Sequence, residues 1–153
     1  MQYPSENEYS EYLSQNNGQS NAYTAMDETV YFFDVHPPAL PGALDRFAQF
    51  FIAPKFDDSC TEREILAVDS ENKKNLQSDM WRMYQLEKST SSRDHWYWRF
   101  GTGNKQTLWD DPVAEGRNTR SELIEWYGQH YSSNVMKLVV VAKGKQRFRM
   151  QRL

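Results

Sequence analysis

Thr61 to Leu86, TEREILAVDSENKKNLQSDMWRMYQL, decides the fold class, because it is the longest uninterrupted helical pattern in the chain. At about 100° per residue, Glu64 and Glu71 fall on one face, two turns and roughly 10 Å apart, with Ala67, Val68, Asn75 and Ser78 around them. Asp69 and Lys73 lie on the opposite side, so neither glutamate has a partner at i to i+4. The pattern predicts one helix over 61–86 with two carboxylates turned towards packing. Such a pair is either the edge of a solvated stripe, glutamate being a good helix former, or a metal or acid/base site. The helix alone leaves both open.

The flanking sequence supplies the rest of the architecture. Pro4 and Ser5 open a short helix that stops at Asn17-Gly18. Ser20 to Met26 and Glu28 to His36, the second with Val30-Tyr31-Phe32-Phe33, read as a hairpin closed at Met26-Asp27. His36-Pro37-Pro38 ends it, and a helix to about Ile52 follows with Leu40, Leu44, Phe47 and Phe51 on one apolar stripe. Downstream, Trp96-Tyr97-Trp98 and Phe100 precede Gly101-Thr102-Gly103-Asn104, which reads as packing and turns. Asn118 or Thr119 caps a last helix to about Tyr131, with Leu123, Trp126 and Tyr127 on its buried side. Val135 to Ala142, VMKLVVVA, reads as a central strand, and the basic run from Gly144 as a frayed end. The expected fold class is α/β in an α+β arrangement, a mostly antiparallel sheet packed on helices.

At 153 residues the chain fits one domain, and a net charge of -3 argues against a nucleic acid or an anionic membrane as partner. The single cysteine, Cys60, excludes an internal disulfide and fits a reducing compartment. No window approaches the length of a membrane span and the polar, acidic start is no signal peptide, so the expected location is cytoplasmic. The three histidines, His36, His95 and His130, are isolated in sequence, so no helical zinc-binding pair is present. The Gly101 loop lacks the lysine and spacing of a phosphate-binding loop, and no nucleophile elbow supports a serine triad.

The wording of the sequence carries further than its periods. YPSENEYSEYLSQNNGQSNAYT, GALDRFAQFFIAPKFDDSCTEREILAVDSENKKN, FGTGNKQTL and HYSSNVMKLVVV closely resemble the insulysin branch of the pitrilysin-like M16 zinc peptidases. The likeness runs from Tyr3 to about Val141, and SENKKNLQSD resembles the fungal members especially. In that family an inverted motif, His-x-x-Glu-His, supplies two zinc ligands and the general base, and a glutamate further along is the third ligand. The resemblance assigns that ligand role to Glu71, within AVDSENKKN, and makes Glu64 the carboxylate that orients a ligating histidine. It also implies that a peptide substrate adds as a β-strand along GQSNAYT, with Asn21 bonding its backbone, Ala22 lending main-chain groups and Tyr23 lining a pocket. Trp81 would contribute to a neighbouring pocket.

The same resemblance exposes a gap. His-x-x-Glu-His is expected just before Tyr3 and does not occur in the sequence, so both zinc histidines and the general base are missing. One carboxylate cannot hold a catalytic zinc, whose affinity comes from converging ligands. The sequence is therefore expected to be a partial M16 domain over 1–143 with a divergent basic tail over 144–153, related to a metalloendopeptidase and inactive as an isolated chain. Its rival is a non-catalytic M16-like interaction or structural protein. A complementing chain that carries the missing motif is a further possible partner.

Overall fold

The computed structural model describes Tyr3, Ser5 and residues 7–143, in two compact units. One comprises the described residues up to Lys55 and from Gly128 onward, the other Phe56–Tyr127. The sequence expectations for Pro4 and for the basic run from Gly144 lie outside the described residues.

The first unit starts with helix α1, Glu8–Gln15, which carries Glu8 and Glu11 in the first turn where the helix dipole favours them. It ends in a Schellman-type cap. Asn17 takes a left-handed φ of 52°, and the Gly18 N–H donates to the Leu13 carbonyl at 2.8 Å. Glycine is needed at position 18 because a Cβ there would stand 2.4 Å from the Asp34 carbonyl oxygen. Strands β1, Gln19–Thr24, and β2, Thr29–Asp34, then pair antiparallel from Gln19↔Asp34 to Thr24↔Thr29. The Ala25 N–H donates to the Glu28 carbonyl at 2.8 Å and closes the turn. The hairpin is thus where the β-rich sequence predicts it, with both strands slightly shorter.

Pro37–Ala39 form a 3-10 turn that leads into helix α2, Leu40–Ile52, as the double proline and the apolar stripe predict. That stripe packs on the hairpin and on α1. Phe47 stands among Tyr9, Phe33, Phe50 and Phe51 at centroid distances of 6.1, 5.0, 6.3 and 5.3 Å, and Tyr31 meets Phe51 edge-on at 5.4 Å. Leu13 and Ala43 of this unit are fully buried. The Arg46 guanidinium lies over the rings of Tyr3 and Tyr12 and pairs with Glu8 at 2.9 Å. Tyr12 in turn donates to the Ala39 carbonyl, and its ring fills the space that a side chain at Gly42 would need.

Tyr9 makes a pH prediction possible. Its hydroxyl is buried without a hydrogen-bond partner among the described residues, and burial pushes its pKa up to about 12, the nearby Ser20 hydroxyl offsetting only part of this. The unfolded chain releases the phenolic proton near the ordinary value, so the folded form binds more protons between the two values. This contribution is fully present below about pH 10 and is lost as pH rises towards about 12. In urea titrations at rising alkaline pH, Tyr9→Phe is expected to remove this loss and to be neutral or slightly stabilising at pH 7, since it deletes an unsatisfied group.

The second unit carries two helices where the sequence suggests one. α3 spans Asp58–Asn75 and α4 spans Asp79–Thr90. Asp57 caps α3 by accepting the Ser59 N–H at 3.0 Å. The expected single helix over 61–86 breaks because Ser78 turns extended, at φ -84° and ψ 118°, and starts α4 with Asp79 in its first turn. Lys88 of α4 is fully buried, with its ammonium 4.4 Å from the centroid of the Tyr97 ring and 5.4 Å from that of Tyr84. Trp96–Trp98 form a 3-10 turn, and a π-type turn at Gln106–Asp110 runs into the one-turn helix α5, Asp111–Ala114.

Helix α6, Thr119–His130, starts where it was expected, and Asn118 Oδ1 accepts the Ser121 N–H at 2.9 Å. Its buried side is narrower than its sequence suggests. Tyr127 packs edge-on against Phe56 at 5.1 Å, whereas Leu123 and Trp126 are exposed. Val135–Ala142 is a further departure, for it pairs with no strand among the described residues, and Leu138, Val139 and Val141 are exposed. A β-prone run becomes a strand only against a matching edge, and none is paired with it here. The observed class is α/β, an antiparallel two-stranded sheet packed on helices. No helix among the described residues is long and apolar enough to cross a membrane.

Candidate functional site

α3 brings Glu64 and Glu71 to one face, as periodicity predicts, but that face is not the packed one. Both glutamates are exposed, and among the described residues neither has a hydrogen bond or ion pair. The inward stripe is Ile65, Val68 and Asp69, with Ile65 at 7% exposure and Asp69 at 7%. The expectation of two acids turned towards packing is therefore corrected: the acid on the opposite side is the one that is buried. Asp69 is held by the Lys105 backbone N–H, which donates to Oδ1 at 2.9 Å, and by Lys73, whose Nζ lies 2.6 Å from Oδ2. The Lys105 N–H first and the Lys73 ammonium second hold its carboxyl below the usual carboxylate range.

Asn21, Ala22 and Tyr23 are consecutive on β1, whose six residues are all exposed. β1 pairs with β2 on one side only, so its other edge is open among the described residues. Asn21 Oδ1 accepts the Ala22 N–H at 2.8 Å, an exposed contact that an incoming strand would have to replace. The Tyr23 hydroxyl reaches Glu28 at 3.4 Å. Trp81, in the first turn of α4, is 43% exposed and meets Tyr84 edge-on at 6.2 Å. Such an edge can accept an extended peptide through main-chain bonds.

Exposed carboxylates without a competing cation suit one metal ligand and an acid that orients a neighbouring imidazole. The three histidines are exposed, and the His95 ring stacks on Trp96 while its Nδ1 accepts the Tyr97 N–H at 3.2 Å. No group of three or more His, Cys, Asp or Glu side chains that could hold a metal occurs among the described residues. The carboxylates of α3 are of a chemistry that suits part of a zinc site, and among the described residues no set that completes one is present.

Comparison with known proteins decides the family. The sequence profile described as Insulinase (Peptidase family M16) matches residues 1–94. The chain belongs to peptidase family M16. Human insulin-degrading enzyme is 52% identical to this M16 chain over 141 residues, 92% of the chain and 14% of that protein. "Insulin-degrading enzyme-like 1, peroxisomal" of Arabidopsis thaliana is 55% identical over the same shares. The crystal structure of pitrilysin superposes with a TM-score of 0.79 at 34% identity, covering 88% of this chain and 14% of that one. The chain thus spans about one seventh of the length of the M16 relatives it matches. The sequence pattern singles out the two glutamates and passes over Asp69, one of whose two partners, the Lys105 N–H, is 36 positions away. The available signal was an aspartate four residues before a lysine on a helix, which by itself reads as a surface pair.

Proposed function

We propose that this chain is the part of an M16 zinc metalloendopeptidase domain that supplies the carboxylate side of the metal site and one edge for the peptide substrate. Glu71 is the glutamate ligand and Glu64 orients a ligating histidine. Asn21 and Ala22 bond the backbone of an extended peptide, Tyr23 lines a side-chain pocket and Trp81 a neighbouring one. The domain runs over 1–143, with 144–153 a divergent basic tail, and the location is cytoplasmic. The observation that carries the reading is that Glu64 and Glu71 leave the same face of α3, exposed and with no ion pair among the described residues, in a chain of this family. The sequence holds no His-x-x-Glu-His, so this polypeptide alone lacks two ligands and the base, and no peptidase activity is expected of it.

The test compares two purified proteins, the 153-residue chain and the same chain joined to an upstream His-x-x-Glu-His segment from a family member. Only the joined chain is expected to bind one zinc, by metal analysis, and to cleave a quenched fluorescent peptide in a chelator-sensitive way. Chelator-sensitive cleavage by the unjoined chain would overturn the claim that its site is incomplete. A joined chain that folds and binds no zinc would refute the role given to Glu71.

A further inference from the structure

The Gly101–Asn104 stretch has no part in the proposed chemistry, yet it packs directly on the helix that bears the two acids. At Gly103 a Cβ would stand 2.6 Å from Leu108 Cδ1 and 3.3 Å from Val68 Cγ1, so a side chain there would displace Leu108 first and would press on Val68 of α3, which the loop touches. The loop is ordered by a reciprocal pair of bonds: the Thr107 N–H donates to Asn104 Oδ1 at 2.9 Å, and the Asn104 N–H donates to Thr107 Oγ1 at 3.2 Å. It thereby presents the Lys105 N–H to the Asp69 carboxylate at 2.9 Å.

The apolar stripe of α3 is too thin to set the rotation of the helix. Ile65 is its one buried apolar residue among those described, and Leu66 is 45% exposed. A hydrophobic contact is non-directional and tolerates a swivel. A hydrogen bond to a fixed backbone N–H does not. At about 100° per residue, Glu71 lies about 160° from Asp69 around the helix axis and Glu64 about 140°. Anchoring Asp69 inward therefore turns both glutamates outward, which is where they are.

We propose that Asp69 is a positioning residue: bound to the Lys105 N–H, it fixes the rotation of α3 and so the direction in which Glu64 and Glu71 project. Why that direction matters rests on the metal-site reading above; whether Asp69 sets it does not, and the test uses no metal.

The labelled 153-residue chain is followed by NMR, reading amide exchange at Lys105 and the relaxation caused by a soluble gadolinium chelate at Glu64, Ile65 and Glu71. Asp69→Ala is expected to speed Lys105 exchange roughly ten-fold. It is also expected to raise chelate relaxation at Ile65 and lower it at Glu64 and Glu71, with the helical shifts of α3 kept. Asp69→Asn retains an oxygen acceptor and is expected to restore the native pattern. Lys73→Gln leaves the Lys105 bond intact and is expected to change nothing. An unchanged relaxation pattern in Asp69→Ala overturns the proposal. So does loss of the helix signal in that variant, which would make Asp69 a stability residue, and so does failure of Asp69→Asn to restore the pattern. Zinc binding by the joined chain is a separate measurement, and its failure would remove the metal reading without touching this one.

Discussion

Glu71→Gln, made in the chain joined to a His-x-x-Glu-His segment, is expected to abolish stoichiometric zinc and with it all chelator-sensitive cleavage. A carboxamide offers a neutral oxygen where the metal needs a charged one, and two imidazoles leave the set a ligand short. Glu64→Gln should be milder. It removes an acid that orients a ligand, a change that typically lowers affinity about 10- to 100-fold, and Glu71→Gln should exceed that range. The measurement is competitive titration with a zinc chelator of known affinity. The ordering matters more than either value: equal losses, or the larger loss at Glu64, would mean that the roles are exchanged or absent. Neither side chain has a hydrogen bond or ion pair among the described residues, so both variants should fold as the parent does, with a surface-like cost within about 0.5 kcal/mol.

Leu13→Ala is the substitution with the largest expected effect on stability. Leu13 is 1% exposed and is the one buried residue of α1, in a unit whose other buried apolar residues among those described are Ala39 and Ala43. Truncation removes the transfer energy of the side chain and leaves a cavity into which the surroundings relax only in part, for a loss of about 2–5 kcal/mol. Whole-domain stabilities are about 5–15 kcal/mol, so the variant should be substantially unfolded under mild urea. The Leu13 carbonyl still accepts the Gly18 N–H in the variant, so the loss isolates the side chain from the helix cap. Glu11→Ala, exposed on the same helix, is the control and should shift the urea midpoint little.

How much of this was legible in the sequence depended on the range of the interaction. Local signals gave correct elements: Pro37 and Pro38 before α2, the aromatic run Tyr31-Phe32-Phe33 in β2, and Asn118 at the start of α6. The break at Leu76–Ser78 was hidden because leucine and glutamine favour helix, and only Ser78-Asp79, a weak start signal, marked it. Val135–Ala142 showed strand propensity truly, but pairing requires a second edge that propensity does not contain. The candidate site was legible by wording rather than by period. Periodicity placed Glu64 and Glu71 together and then turned the helix the wrong way, because the bond that orients it comes from Lys105.

The exposed run Leu138–Ala142 sets how this polypeptide behaves at high concentration. Its main-chain donors and acceptors are unpaired among the described residues, and its side chains are almost wholly branched and apolar. Such a stretch is a template that any similar stretch can copy, which is the starting condition for colloidal self-adhesion. What opposes it is charge. Lys137 and Lys143 bracket the run, and in a parallel register each meets its own like charge, a local repulsion that opposes such adhesion and weakens as salt screens it.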